Sequence, residues 1–449
     1  MTKNLQELRA LLDEWAREAE VPGIAVGVLQ DGEESVLATG VSSVDAPTPV
    51  DGDTLFMVGS TSKTFTAAAV LVLVEDGLLN LDEPVVTYLP DLPLADPTAR
   101  ATVTLRHLLT HTGGFLGDVD LDNGWDSDGL AEAVAGFGDL PQVFPTGEVF
   151  SYSNSGFVLA GRVLEVVSGT SYEDLVRTRL LEPLGMTDSH FLPWDVLTRH
   201  HTVGHTLVPG GTPVVAHTLG LPRSVAAAGG LWSSARDQLR WARFFLLGES
   251  TGAAPLGERA RTALWEPQRR AALPYEQVAL SWLRTRYGDA ELVRHGGNVS
   301  NLQVSEFVTL PDQRFAVTVL TNSRGGGVVG PRVVDWCLEN LAGVPPIPAA
   351  PVLPRTPEQL ADYTGRYETG GLAFDFTARE DALWARMLVI SDPDNSPPAF
   401  EVAFVAEDVV ARAADTRRAT GGFVRDARGR VTAVEFGGRT ARRQEVAPA

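Results

Sequence analysis

Ser60 and Lys63 stand three positions apart in the segment Gly59-Ser60-Thr61-Ser62-Lys63-Thr64. A helix beginning near Ser60 puts both on one face, one turn apart. The serine then sits at a helix N-terminus, where free N–H groups favour negative charge. A serine hydroxyl is a poor nucleophile until a base removes its proton. A lysine desolvated by an apolar helix, or set near another cation, has a depressed pKa and can be that base. Composition sharpens the point: the 37 basic residues comprise 35 Arg and only two Lys, Lys3 at the N-terminal tip and Lys63. Arg does not give up its proton at working pH, so Lys63 marks a position where Arg could not substitute. Read alone, Ser-x-x-Lys is first of all a helix cap followed by a solvated lysine.

Two further constellations carry usable groups. Tyr152 and Asn154 lie two apart on a polar loop before the helical pattern FVLAGRVLEVVSG. Both can point to one side, the Tyr relaying a proton and the Asn holding a carbonyl or amide. A turn with a buried tyrosine and an Asn cap explains the same pair. His295, Gly296, Gly297 and Asn298 follow Arg294 at the end of a strand-like run. Two glycines there let a ligand approach the backbone, whose N–H groups could face an oxyanion. The plain alternative is a strand-end turn with a surface histidine.

The elements that must position these groups follow from periodicity. Leu5, Leu8, Leu11, Leu12 and Trp15 fall at helical spacing and predict an amphipathic first helix. GIAVGVLQDG and SVLATGV form two apolar runs about an Asp-Gly turn, a hairpin signal. TSKTFTAAAVLVLVEDG is rich in helix formers and closes at Gly77, and the pattern stays mostly helical to about residue 247. Strand-like runs then return between 275 and 322, with a last helix near 331–341. Early strands, a helical middle and late strands predict an α+β domain whose antiparallel sheet is built from both ends, with helices segregated against it. Residues 343–357 hold six prolines and read as a semi-rigid linker. Beyond it Phe374 and Phe376 alternate with polar neighbours, and FVRDARGRVTAVEF reads as a hairpin about Gly429. The expected organisation is a domain over 1–342, a linker over 343–357 and a strand-rich domain over 358–449.

The net charge of −20 excludes phosphate-rich partners: nucleic acid and anionic membrane surfaces are expected to be repelled. No apolar run approaches the roughly 20 residues that span a bilayer, and the N-terminal stretch lacks the apolar segment and cleavage site of a signal peptide. A single cysteine, Cys337, forbids an internal disulfide and fits a reducing compartment, so a cytoplasmic location is expected.

Taken together, these segments resemble the penicillin-binding-protein-like serine hydrolases, the group that includes class C beta-lactamases, family VIII carboxylesterases and D-aminopeptidases. The resemblance covers roughly residues 5–342 and rests on ordered blocks: VPGIAVGVLQDG, FMVGSTSKTFTAAAVLVLVEDGLLNLDEPVVTYLPD, TVTLRHLLTHTGGF, FSYSNSGFVLAGRVLEVVSGTSYEDLVRTRLLEPLGMTDSHF, AAGGLWSSARDQLRWARFFL, HGG and PDQRFAVTVLTN. It implies a beta-lactamase-like domain with a helical subdomain. It also implies Ser60 as the acylated nucleophile, Lys63 and Tyr152 sharing the proton work, and Asn154 contacting the substrate amide or carbonyl. The backbone N–H groups of Ser60 and Asn298 would form an oxyanion hole. Which of Lys63 and Tyr152 is the base stays open, because coupled groups titrate as a unit. The segment beginning PEQLADYTGRYE resembles a lipocalin-like antiparallel barrel appended to some members, where it packs near the active site or a partner subunit and restricts access.

One departure matters. Penicillin-recognising members carry Lys-Thr-Gly where this chain has His295-Gly296-Gly297. A histidine is mostly neutral at pH 7, so strong beta-lactamase or transpeptidase activity is not expected. The resemblance implies hydrolysis of small ester, amide or peptide substrates, with no cofactor and no metal. A weak beta-lactamase or D-alanyl carboxypeptidase is the second reading, and a catalytically silent binding or scaffolding protein the third. The oligomeric state stays open, a homo-oligomer included.

Other patterns are set aside. Gly325–Gly330 fits G-x-G-x-x-G, but the acidic residue required about 20 positions on would fall in the proline linker. His107 and His111 lack the Glu of a zinc-protease motif and read as structural. Arg199-His200-His201 with His205 reads as surface. Asp118, Asp120 and Asp122 fail the calcium-loop spacing and read as an acidic rim of the cleft favouring cationic or neutral substrates.

Overall fold

The computed structural model describes residues 3–118, 124–207, 211–218, 220–390 and 396–444. Helix α1 (Lys3–Glu18) leads into the hairpin β1 (Gly23–Gln30) and β2 (Glu33–Gly40). Strands β3 (Leu283–Tyr287), β4 (Ala290–Val299), β5 (Gln303–Leu310) and β6 (Phe315–Thr321) return from the far end of the domain. The antiparallel sheet runs β2-β1-β6-β5-β4-β3 and ends in two short strands at 277–278 and 269–270. Thus the first hairpin pairs with the last strand, Ile24 opposite Thr321.

Both faces of this sheet are covered. On β1, Ile24, Val26 and Val28 point to a core formed with α1 and with α5 (Gly326–Asn340), while Ala25 and Leu29 point to the helical middle. That is why β6 is buried along its whole length. The helices are therefore not segregated to one side. The last helix also starts five residues earlier than its pattern suggests, Pro331 lying inside α5.

The helical middle is built round α2 (Ser62–Glu75), buried from Ser62 to Leu73. A helix apolar on all sides can only be a core helix. It packs against α3 (Asn154–Ser168), and α4 (Ala235–Leu247) packs on the sheet beside it. The proline-rich segment has no helix or strand before Pro357, which opens a short helix, Pro357–Ala361. It is not loose: Val344 is buried against the α1–α5 core, and the N–H groups of Ala350 and Leu353 donate to Thr416 and Phe404.

Residues 365–443 form a closed barrel of eight antiparallel strands, the first and last pairing Tyr367 with Arg443. Phe374, Phe376, Phe423 and Phe436 fill its interior with tilted and edge-on ring contacts. Its last hairpin, Val431–Phe436 and Arg439–Arg443, turns through Gly437-Gly438, both with positive φ. This two-residue turn is the one that matches strand twist, and it points at the hydrolase-like domain. Arg270 pairs with Glu435 through two contacts of 2.5 and 2.7 Å, and Tyr152 N–H donates to Gly438 O at 3.1 Å.

Candidate active site

Ser60 lies in a 3₁₀ turn, Gly59–Thr61, that feeds directly into α2. The helix proper therefore begins at Ser62, two residues later than its spacing suggests. Gly59 has φ +52, and a Cβ there would sit 3.1 Å from Asn298 N. Across the gap, a Cβ on Gly297 would meet Val58 O at 1.9 Å. The glycines thus bring the Gly59–Thr61 turn and strand β4 within backbone contact, with Ser60 and Asn298 opening on one cavity. β4 continues through His295-Gly296-Gly297 to Val299 instead of turning, and His295 is buried, not at the surface.

Lys63 has no exposed surface. Its Nζ lies 3.1 Å from Ser60 Oγ, 2.7 Å from Asn154 Oδ1 and within hydrogen-bond distance of Ala228 O. Burial drives its pKa well below the usual lysine range, Asp118 pulling it back up and Arg439 pushing it further down. A neutral amine has two N–H donors and one lone pair. In that neutral form the two carbonyl oxygens, which can only accept, take both N–H groups and the lone pair is left toward the Ser60 hydroxyl; in the ammonium form Nζ donates to all three.

Asn154 is the first residue of α3, whose N-cap Ser153 accepts from Gly156 N–H at 3.0 Å. Tyr152 precedes the cap. Its ring stacks on His111 with centroids 4.3 Å apart and lies 5.1 Å from Lys63 Nζ. Its hydroxyl is buried. Burial pushes the phenol pKa up, and the Ser60 hydroxyl opposes that shift. Burial thus pushes Lys63 toward the neutral amine and Tyr152 toward the protonated phenol.

The side chains or backbone of Ser60, Tyr152, Asn154, His295 and Gly296–Asn298 line one cavity of about 330 Å³. His295 donates from Nδ1 to Gly296 O, and burial, then the neighbouring Lys63, push its pKa down to about 3. It carries no charge at neutral pH. A second pocket of about 220 Å³ shares Ser60, Asn154 and Asn298 with the first and is also lined by Leu221, Val225 and Ser300.

Of three further residues at the site, the sequence reads His111 as structural and Asp118 as part of an acidic rim, and does not single out Arg439. His111 sits with φ +56, a backbone state unusual outside glycine. Its Nδ1 accepts from Ser153 N–H at 3.0 Å while its ring backs Tyr152. Asp118 accepts from Asn154 Nδ2 at 2.8 Å and pairs with Arg439, which reaches in from the barrel at 2.7 and 3.0 Å. Asp118 is therefore neutralised rather than offered as an acidic rim; Asp120 and Asp122 lie outside the described residues. The one available signal for Arg439 was Gly437-Gly438 between two strand-like runs, a hairpin tip whose target no local pattern reveals. His205 is buried with Nδ1 on Asn322 O, so it is not a surface residue. Among the described residues no cluster of His, Cys, Asp and Glu could hold a metal ion, and no helix is long and apolar enough to cross a membrane.

Comparison with known proteins agrees with this architecture. The Beta-lactamase family model matches residues 3–333. Penicillin-binding protein 4 of Amycolatopsis lactamdurans is 35% identical over 373 residues, covering 79% of this chain and 95% of its own. SurE, solved with D-Leu, superposes with a TM-score of 0.72 at 30% identity over 98% of this chain and 99% of its own. The D-amino acid amidase of Ochrobactrum anthropi SV3, solved with L-phenylalanine amide, gives 0.62 at 25% identity over 75% of this chain and 98% of its own. The chain belongs to the Beta-lactamase family of serine hydrolases.

Proposed function

We propose that the protein cleaves small esters or amides, as a carboxylesterase or a D-amino-acid amidase or peptidase does, through an acyl-enzyme on Ser60. The observation that carries this reading is the buried Lys63 amine, whose Nζ lies 3.1 Å from Ser60 Oγ, 2.7 Å from Asn154 Oδ1 and within hydrogen-bond distance of Ala228 O. In the first step Ser60 Oγ attacks the substrate carbonyl carbon and its proton passes to Lys63 Nζ. The oxyanion lies against the N–H groups of Ser60 and Asn298, each contributing about 3 kcal/mol by analogy with other hydrolases. Tyr152 gives its hydroxyl proton to the leaving oxygen or nitrogen and recovers one from Lys63. The C–O or C–N bond breaks and the acyl-enzyme remains. Water then attacks the ester carbonyl, its proton returns through the same pair to Ser60 Oγ, and the acid leaves.

The two pockets divide the substrate. Tyr152 lines the larger cavity and not the smaller one, so the leaving group it protonates occupies the larger. The acyl chain then lies in the smaller pocket beside Leu221 and Val225. Kinship with a D-amino acid amidase and with SurE, solved with D-Leu, supports a D-configured acyl or leaving residue. A beta-lactamase or D-alanyl carboxypeptidase reading has less support. His295 is neutral, and the lining arginines, Arg294 and Arg439, each already hold a carboxylate, Glu306 and Asp118. We place the activity in the cytoplasm on the single cysteine, Cys337, a buried free thiol.

The test is fluorophosphonate labelling and p-nitrophenyl acetate turnover in the wild type and Ser60→Ala, followed by paired D- and L-aminoacyl amides and nitrocefin. Labelling and turnover lost in the variant, with D-amides ahead of nitrocefin, are expected. An unlabelled, inactive wild type would return the chain to the binding-protein reading.

A further inference from the structure

Arg439 and Asp118 form a charged pair to which the hydrolytic steps give no task. Arg439 is the first residue of the barrel's last strand, its side chain only 20% exposed. Its Nε and Nη2 donate to the two Asp118 oxygens, its guanidinium lies 5.2 Å from the Tyr152 ring centroid, and Asp118 Oδ1 also accepts from Asn154 Nδ2. Asn154 Oδ1 in turn accepts from Lys63 Nζ. The contacts run without a break from the barrel to the nucleophile: Arg439, Asp118, Asn154, Lys63, Ser60.

An Asn amide can present either end to a neighbour. Here a carboxylate, which only accepts, faces one end. That fixes Nδ2 toward Asp118 and the oxygen toward Lys63. A lone carboxylate in this position would also favour a protonated amine on Lys63, which would remove the lone pair that Ser60 needs. A guanidinium clamped on both oxygens cancels that field at its source. We infer that Arg439 is a positioning residue through which the barrel holds Asp118, orients Asn154 and keeps the Lys63 amine free to accept the Ser60 proton. The inference rests on the acyl-enzyme reading above.

The charged and titratable groups facing Lys63 are Asp118, Arg439, Tyr152, His111 and His295. Burial keeps the last three neutral at pH 7. Only Asp118 and Arg439 act on Lys63 with full charge, and with opposite signs. The sign of the response to each deletion is therefore fixed. In Arg439→Gln the unpaired Asp118 raises the Lys63 pKa, so the acid limb of kcat/KM moves to higher pH. In Asp118→Asn the unpaired Arg439 lowers it, so the limb moves to lower pH. The double variant restores the limb toward wild type.

The assay is the pH profile of kcat/KM for p-nitrophenyl acetate, repeated as the pH dependence of fluorophosphonate labelling, on the full chain with melting curves for each variant. Arg439→Gln should lose on the order of 10-fold in rate on the acid limb while recovering at high pH. Arg439→Lys, which keeps the charge, should hold the limb near its wild-type position. If Arg439→Gln does not fold, the downward shift in Asp118→Asn and its persistence on pairing with Arg439→Lys, which keeps the charge, carry the test. Equal loss at every pH, or limbs that do not move in opposite directions, would overturn the inference. Full activity in Ser60→Ala would instead overturn the acyl-enzyme reading itself, so the two failures are distinguishable.

Discussion

Replacing Lys63 with Arg isolates proton exchange from charge. The lysine is wholly buried at the start of a core helix, and its surroundings drive it toward the neutral amine. A guanidinium at the same position still donates to Asn154 Oδ1 and Ala228 O, so two of the three contacts survive. What disappears is the lone pair 3.1 Å from Ser60 Oγ, because Arg stays protonated at any working pH. Positioned acid–base groups contribute about 10²–10⁴-fold. Lys63→Arg is therefore expected to lower the acylation rate by at least about 100-fold. A fixed buried charge also costs stability, several kcal/mol per ion before compensation, which Asp118 and the two carbonyls partly offset. The measurement is stopped-flow release of p-nitrophenol from p-nitrophenyl acetate at pH 7–9, with melting curves confirming a folded protein. Lys63→Met, neutral and of similar length, should lose acylation to a similar extent. A folded Lys63→Arg protein acylating within about 10-fold of wild type would show that another group takes the Ser60 proton.

Three further outcomes follow from the same geometry. Gly297→Ala sets a Cβ 1.9 Å from Val58 O; the backbone must move, so the expected loss is about 2–3 kcal/mol of stability with acylation reduced more than binding, read by melting and kcat. Leu221→Trp should fill the smaller pocket and discriminate by acyl length: p-nitrophenyl acetate turnover nearly retained, p-nitrophenyl hexanoate reduced at least about 10-fold, since lost pocket contacts cost roughly 1–3 kcal/mol; equal effects on both esters would place the acyl chain elsewhere. The folded protein holds His295 neutral down to about pH 3, whereas the unfolded chain protonates it near 6.5. The unfolded state thus binds the extra proton, and stability falls as pH drops from 6.5 toward 3, with a slope approaching about 1.4 kcal/mol per pH unit from this group alone. Urea melts of wild type and His295→Gln between pH 4 and 7 should show that slope reduced in the variant.

Much of the hydrolase-like domain could be read locally. The short apolar run GIAVGVLQ before an Asp-Gly turn and the long apolar run after Lys63 determine a strand and a core helix, because burial rewards those patterns directly. The barrel's Phe374 and Phe376 are legible for the same reason. His295 was harder: glycines usually end strands, and only the partner, the Gly59 turn packed on Gly297, explains why β4 continues. The helical covering of both sheet faces likewise depends on where α1 and α5 fold back, which no single segment encodes. Asp118 and Arg439 are 321 positions apart and meet only through the docking of the barrel hairpin. Long-range pairing of this kind leaves no periodic trace, so a residue clamped on Asp118 looks in sequence like one more surface arginine.

The central claim is a covalent bond to Ser60 Oγ. Intact-protein mass spectrometry after brief incubation with p-nitrophenyl acetate and with a fluorophosphonate, followed by peptide mapping, tests it directly. One adduct per chain on the peptide containing Ser60, absent from Ser60→Ala and delayed in Lys63→Arg, is the predicted result. Turnover without any adduct, or an adduct that persists in Ser60→Ala, would contradict it.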